Sequence, residues 1–163
     1  MSDHSRIEWT DATWNPVTGC SKVSPGCAHC YAETLSLRYG WSRLPWTPEN
    51  VVENVVLHPE RLAQPLRWRK PRRVFVNSMS DLFHPLVPDD FVGRIFAVMA
   101  RCPQHIFQVL TKRPERMVGV LGPNGCGFYA VDRLVPRPQP NVWLGTSIEN
   151  DRWTSRADAL RET

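Results

Sequence analysis

Three of the five cysteines fall in one short stretch, Cys20, Cys27 and Cys30, with the spacing C-x6-C-x2-C. Pro25-Gly26 between them is a turn signal that lets the chain double back, so all three thiols can face one centre. Thiolates are soft ligands for zinc and for iron-sulfur clusters. Structural zinc takes four closed ligands, whereas three thiolates on a 4Fe-4S cluster leave one iron open to a substrate or cofactor. Three ligands without an obvious fourth therefore point to an iron-sulfur centre and to chemistry. A zinc site is the alternative, with His29 inside the motif and His4, Cys102 or Cys126 available as a fourth ligand. A disulfide framework is the weaker reading, because the cysteine count is odd and nothing marks the chain as secreted.

The elements that must position these thiols begin after them. The first fifty residues are rich in Trp, Pro, Gly and Cys and have no sustained period of 2 or 3.6, as expected of a cofactor-binding loop region. From there the chain alternates. Residues Arg73 to Ser78 read as a short buried strand after Pro71, and Pro88 to Arg101 as a helix. In that helix Asp89 and Asp90 suit the N-terminal dipole, and Phe91, Ile95, Val98 and Met99 share one face. A second strand runs from His105 to Leu110, and a helix can open at Pro114. After a Gly- and Pro-rich stretch from Gly122 to Pro140, a third strand spans Asn141 to Gly145, and a helix starts near Asp151.

Alternation of strand and helix predicts an α/β domain with a parallel sheet and right-handed crossovers, whose carboxyl strand ends carry the ligands. Each strand ends in a polar cluster: Asn77 to Asp81, Thr111 to Arg113, and Thr146 to Glu149. So few strands do not close a barrel, and the expectation is one domain over residues 1–163, a partial (β/α) barrel that forms the N-terminal part of a longer one. The polar start and the lack of about 18 consecutive apolar residues give no expectation of a membrane span or a secretory leader. A soluble, cytoplasmic protein is expected, and the net charge of +4 is compatible with polyanionic partners.

Around the cysteines stand longer blocks: Ile7 to Gly19 before them, Tyr31-Ala32-Glu33 after them, then His58 to Leu62, Val74 to His84, Leu110 to Pro114 and Asn141 to Gly145. On these blocks the chain resembles the phage and bacterial three-cysteine-motif proteins, a family of uncharacterised function that is itself similar to radical S-adenosylmethionine enzymes such as spore photoproduct lyase. The resemblance spans nearly the whole chain. Its cysteine spacing differs from the C-x3-C-x2-C loop commonest in those enzymes. Family members usually continue into further strands, with Ser-x-Glu-Pro-Leu and Gly-Gly-Glu-Ser-Gly blocks that this sequence does not contain.

The resemblance implies a 4Fe-4S cluster on Cys20, Cys27 and Cys30 whose free iron chelates S-adenosyl-L-methionine, with electrons from an external donor generating a 5'-deoxyadenosyl radical. It places Ser78, Ser80 and Asp81 near the cofactor's amino group, Lys112 and Arg113 near its carboxylate or a substrate phosphate, and Ser147, Glu149 and Asn150 near its ribose. A turn cap for Asp81, a solvated basic loop for Lys112 and a helix cap for Asn150 are the plain alternatives. His58 and His84 read as structural, and Cys102 and Cys126 as bystanders.

The substrate is not legible, although a nucleotide or nucleic acid fits the charge. A zinc-stapled nucleic-acid binding module and an inactive remnant are the competing readings. Arg67 to Arg73 alternates basic residues with Trp68 and could follow a phosphate backbone, yet it precedes a strand and so belongs to the sheet's amino side. Trp9, Trp14, Trp41 and Trp46 read as packing residues of a loop-rich region.

Overall fold

The computed structural model of the protein describes residues 5, 7–122 and 139–163. In chain order the strands are β1 (Ala12–Trp14), β2 (Val17–Thr18), β3 (Val56–Leu57), β4 (Arg73–Val76), β5 (Ile106–Thr111) and β6 (Val142–Thr146). The helices are α1 (Tyr31–Arg38), α2 (Val51–Asn54), α3 (Asp89–Ala100), α4 (Pro114–Leu121) and α5 (Ser155–Arg161). β1, β4, β5 and β6 form a parallel sheet in that order, and β2 and β3 pair antiparallel beside it.

Parallel neighbours need crossovers, and α3 and α4 supply them between β4, β5 and β6. One face of the sheet is the core. Ala12, Val74 and Phe107 stand side by side in register, as do Trp14, Val76 and Val109, and all six are essentially inaccessible. Phe91, Ile95 and Met99 of α3 and Met117 of α4 join that cluster. Each large apolar side chain so buried contributes about 1.5–3 kcal/mol.

The other face is covered unevenly. Phe75, Gln108 and Trp143 form a cross-strand row on it. Trp9 stacks on Phe75 with ring centroids 4.7 Å apart and accepts a bond from Gln108 Nε2 at its carbonyl. Toward β6 the cover thins, and Leu110 and Trp143 are exposed.

The expected strands and helices all form, with ends shifted by no more than two residues except at α5, which begins at Ser155 rather than near Asp151. Pro88 sits outside α3 as its N-terminal cap, and a single turn at Asp151–Trp153 precedes α5. One feature departs from expectation. The cysteine-rich first fifty residues hold regular structure, namely β1, β2 and α1. β1 is too short to show a period and owes its form to β4, while α1 buries Ala32, Glu33 and Ser36, small or polar residues that leave no apolar stripe. The four strands make an open parallel sheet, as so few strands must, and no barrel is closed by the described residues. No helix among them is long and apolar enough to cross a membrane.

Candidate functional site

The backbone reaches Cys20 through a narrow gate. Gly19 adopts φ +80°, and a Cβ there would lie 1.8 Å from the Asn54 carbonyl oxygen, so only glycine fits. Its N–H donates to the Met79 carbonyl at 3.0 Å. This stitch fastens the start of the cysteine loop to the carboxyl end of β4. Asn77, at φ 58°, turns the chain there, a left-handed conformation that asparagine tolerates better than most residues. Asn15 Oδ1 accepts from Ser78 Oγ and from the Met79 N–H, and Ser80 Oγ donates to the Val17 carbonyl.

Asp81 ties two strand ends together. Its Oδ1 accepts from Thr111 Oγ1 at 2.7 Å and the Phe83 N–H at 3.0 Å, while Oδ2 accepts from the Lys112 N–H at 3.1 Å and Arg113 Nη1 at 3.0 Å. Both residues are buried, and such a pair is sound only when its remaining donors are satisfied. Arg113 meets that condition by reaching into the cysteine loop, with Nη1 3.5 Å from Cys20 Sγ and Nη2 2.9 Å from the Ser21 carbonyl.

A second fastening holds the other end of the loop. Glu149, beyond β6, accepts from Ser24 Oγ at 2.7 Å and lies against Gly26, where a Cβ would fall 2.4 Å from the carboxyl carbon. Arg156 of α5, 2% exposed, approaches the same carboxylate at 3.4 Å and donates to the Ser147 carbonyl, and Lys112 Nζ stands 3.7 Å away. Burial pushes the Glu149 carboxyl up, but Ser24, Arg156 and Lys112 outweigh it and hold it below the ordinary carboxylate range. Its other oxygen, Oε2, is buried without a hydrogen-bond partner.

Between these fastenings lies a cavity of about 490 Å³. Cys20, Cys27 and Cys30 line it from the loop; Ser78, Ser80 and Asp81 from beyond β4; Lys112 and Arg113 from beyond β5; and Ser147 from beyond β6. Ile7, Trp9, Phe75 and Leu110 give it an apolar wall. The polar clusters foreseen at separate strand ends thus meet at one place. Glu149 and Asn150 are the exceptions: Glu149 works behind the loop, and Asn150 caps the turn before α5 through Arg152 N–H.

The four described cysteines are free. Among the described residues no three His, Cys, Asp or Glu side chains converge as they would around a single metal ion. A cubane, which spreads its thiolates over separate irons, asks less convergence than one zinc does, and three free thiols opening on one cavity suit its ligand set. Cys20 is protonated as it stands, because burial pushes its thiol up to about 11 against the opposing pull of Arg113. Metal binding would have to displace that proton. Candidates for a fourth zinc ligand fare poorly. Cys102 is buried at the end of α3, before β5 and so at the opposite edge of the sheet, and His29 is exposed and does not line the cavity. His4 and Cys126 lie outside the described residues.

Sequence reasoning missed Ser21 and Asn15, whose partners lie some sixty residues or more along the chain, and Glu33 and Arg156, whose partners lie in neighbouring loops. Glu33, buried on α1, pairs with Lys22 at 3.2 Å and accepts the Trp46 N–H at 2.8 Å, which fixes the third wall of the cavity. His84 is 2% exposed and structural: Nδ1 accepts from the Leu86 N–H, so Nε2 carries the proton and donates to Ser21 Oγ at 2.9 Å. Burial and the nearby Arg113 push its pKa down to about 4. His58 bonds Thr18 and Glu60 away from the cavity. Trp68 of the basic segment is buried under Arg72, whose guanidinium lies 5.1 Å above its ring, and cannot stack a base.

Comparisons with curated proteins and with solved structures each return no match. A family model described as "Protein of unknown function (DUF5131)" matches residues 4–163, which takes in the cysteine loop, all three strand-end clusters and the α5 arginine. The chain belongs to the DUF5131 family.

Proposed function

We propose that this cavity holds a 4Fe-4S cluster on Cys20, Cys27 and Cys30, and that the protein is a radical S-adenosylmethionine enzyme fed by an external electron donor. The observation that carries the reading is the opening of three free thiols onto one cavity at the carboxyl ends of parallel strands. When bound, the cluster and S-adenosyl-L-methionine supply one-electron chemistry that no side chain provides.

The chain's own residues hold and shield. Arg113, pinned by Asp81, directs Nη1 at the Cys20 sulfur and so orients that thiol toward the cavity wall. Lys112 and Ser147 face the cavity and suit the carboxylate and hydroxyl groups of the cofactor. Ser78 and Ser80 spend their hydroxyl protons on protein acceptors and offer the cofactor a lone pair. Ile7, Trp9 and Phe75 keep water from one side. A partial barrel accompanies the reading, since the thinly covered face of β5 and β6 is the one that would line a barrel interior. So does a reducing, cytoplasmic setting in which the thiols stay free.

Anaerobic purification, reconstitution with iron and sulfide, and EPR of the dithionite-reduced protein with and without S-adenosylmethionine test it. A reduced-cluster signal that the cofactor perturbs and that Cys27→Ala abolishes is expected. Stoichiometric zinc with no bound iron overturns the proposal.

A further inference from the structure

α1 ends in a rigid turn that displays two aromatic rings to solvent. Gly40 N–H donates to the Leu37 carbonyl and Trp41 N–H to the Ser36 carbonyl, the paired bonds of a Schellman cap, with Gly40 at φ +68°. On the far side Ser42 is fastened too: its N–H donates to the Ser36 carbonyl and its Oγ accepts from Trp46 Nε1 at 2.9 Å. Between these anchors Tyr39 and Trp41 are 57% and 62% exposed, their ring centroids 5.3 Å apart. A capped turn that holds large rings outward spends apolar area on nothing inside the molecule.

The charges beside the rings say what would cover them. Arg38 lies over the Tyr39 ring at 5.8 Å, Arg43 is exposed two residues beyond Trp41, and the chain carries no acidic residue from Thr34 to Pro48. Exposed aromatic rings flanked in sequence by exposed arginines suit stacked bases on a phosphate chain, whereas an apolar protein partner would have to accommodate two charges beside the rings. The inner side of the same segment, through Glu33 and Trp46, lines the cysteine cavity.

We infer that Arg38, Tyr39, Trp41 and Arg43 form a binding surface for single-stranded nucleic acid at the C-terminal end of α1, the helix whose first turn lines the cavity. This names a substrate class for the centre proposed above and rests on that reading only for the chemistry. The binding itself needs no cluster.

Fluorescence anisotropy of the full chain with labelled oligo-dT and oligo-U tests the inference, at low and moderate salt. Binding that weakens with salt, falls about tenfold or more in Trp41→Ala and in Arg38→Ala, and survives both Cys27→Ala and the Arg69→Ala/Lys70→Ala pair is expected. No binding, equal binding by Trp41→Ala, or loss only in the Arg69/Lys70 pair overturns it. So does a dimer by light scattering that Trp41→Ala dissociates while oligonucleotides have no effect. Iron content and the EPR signal, read on the same samples, report on the centre separately.

Discussion

His84 shows how one buried ring registers pH. Its folded pKa of about 4 lies below the ordinary 6.5, so as pH falls the unfolded chain takes up the proton first. Stability from this residue is therefore complete above pH 6.5 and drains away between 6.5 and about 4, at a slope of up to about 1.4 kcal/mol per pH unit. Urea midpoints at pH 7 and pH 5 should differ for the native chain, and His84→Gln should narrow that difference. Glu149 makes a stronger demand on its surroundings. Glu149→Ala would leave the buried Arg156 guanidinium without its carboxylate and free the loop at Ser24, costing about 3 kcal/mol in urea unfolding. Gly26→Ala acts on the same contact from the other side, since its Cβ and the held carboxylate cannot share the space. A well-folded Gly26→Ala protein is expected, with reduced iron uptake on reconstitution under the proposed cluster reading.

Among the elements, the carboxyl ends of β4 and β5 are joined by Asp81 as well as by the ladder. Asp81→Asn keeps the size but gives up the charge that Arg113 faces, so a loss of about 3 kcal/mol and a loosened cysteine loop are expected. Circular dichroism melting reads the first, and alkylation of Cys20 reads the second. The elements were legible where apolar residues recur with a period. α3, with Phe91, Ile95 and Met99 on one side, and the runs beginning at Arg73, Ile106 and Val142 announce themselves. β1 was not legible, because three residues carry no period and Ala12 and Trp14 are explained only by Val74 and Val76 across the sheet. α1 hid for a different reason, burying a glutamate against Lys22 and Trp46. Of the site, the types at the strand ends could be read and their convergence expected. The geometry behind the convergence could not: nothing local in Glu149 says that it clamps Ser24, 125 residues earlier in the chain.

For the molecule as a whole, parallel topology gathers Cys20, Asp81, Lys112 and Ser147 from four chain regions onto one rim. The apolar face of β5 and β6 next to that rim is half dressed, with Trp9 shielding Phe75 but Leu110 and Trp143 in solvent. Trp143→Lys should leave the melting temperature within a degree or two and lower light scattering at high protein concentration, because an exposed residue contributes little to the fold but much to sticking.

The pairing of β1 with β4 has a consequence in time. Arg73 and Asp11 meet across 62 residues, while β4 with β5 and β5 with β6 close loops of roughly half that length. Closing the longer loop costs more entropy and awaits a finished β4, so β1 and the cysteine segment it leads into join last. By this ordering the thiols of a newly made chain should stay accessible until the β4–β6 unit has formed. By the same ordering, amide exchange at Ala12 to Trp14 should outpace that at Val74 to Val76, and alkylation of Cys20 should be faster in a chain still folding than in one already closed.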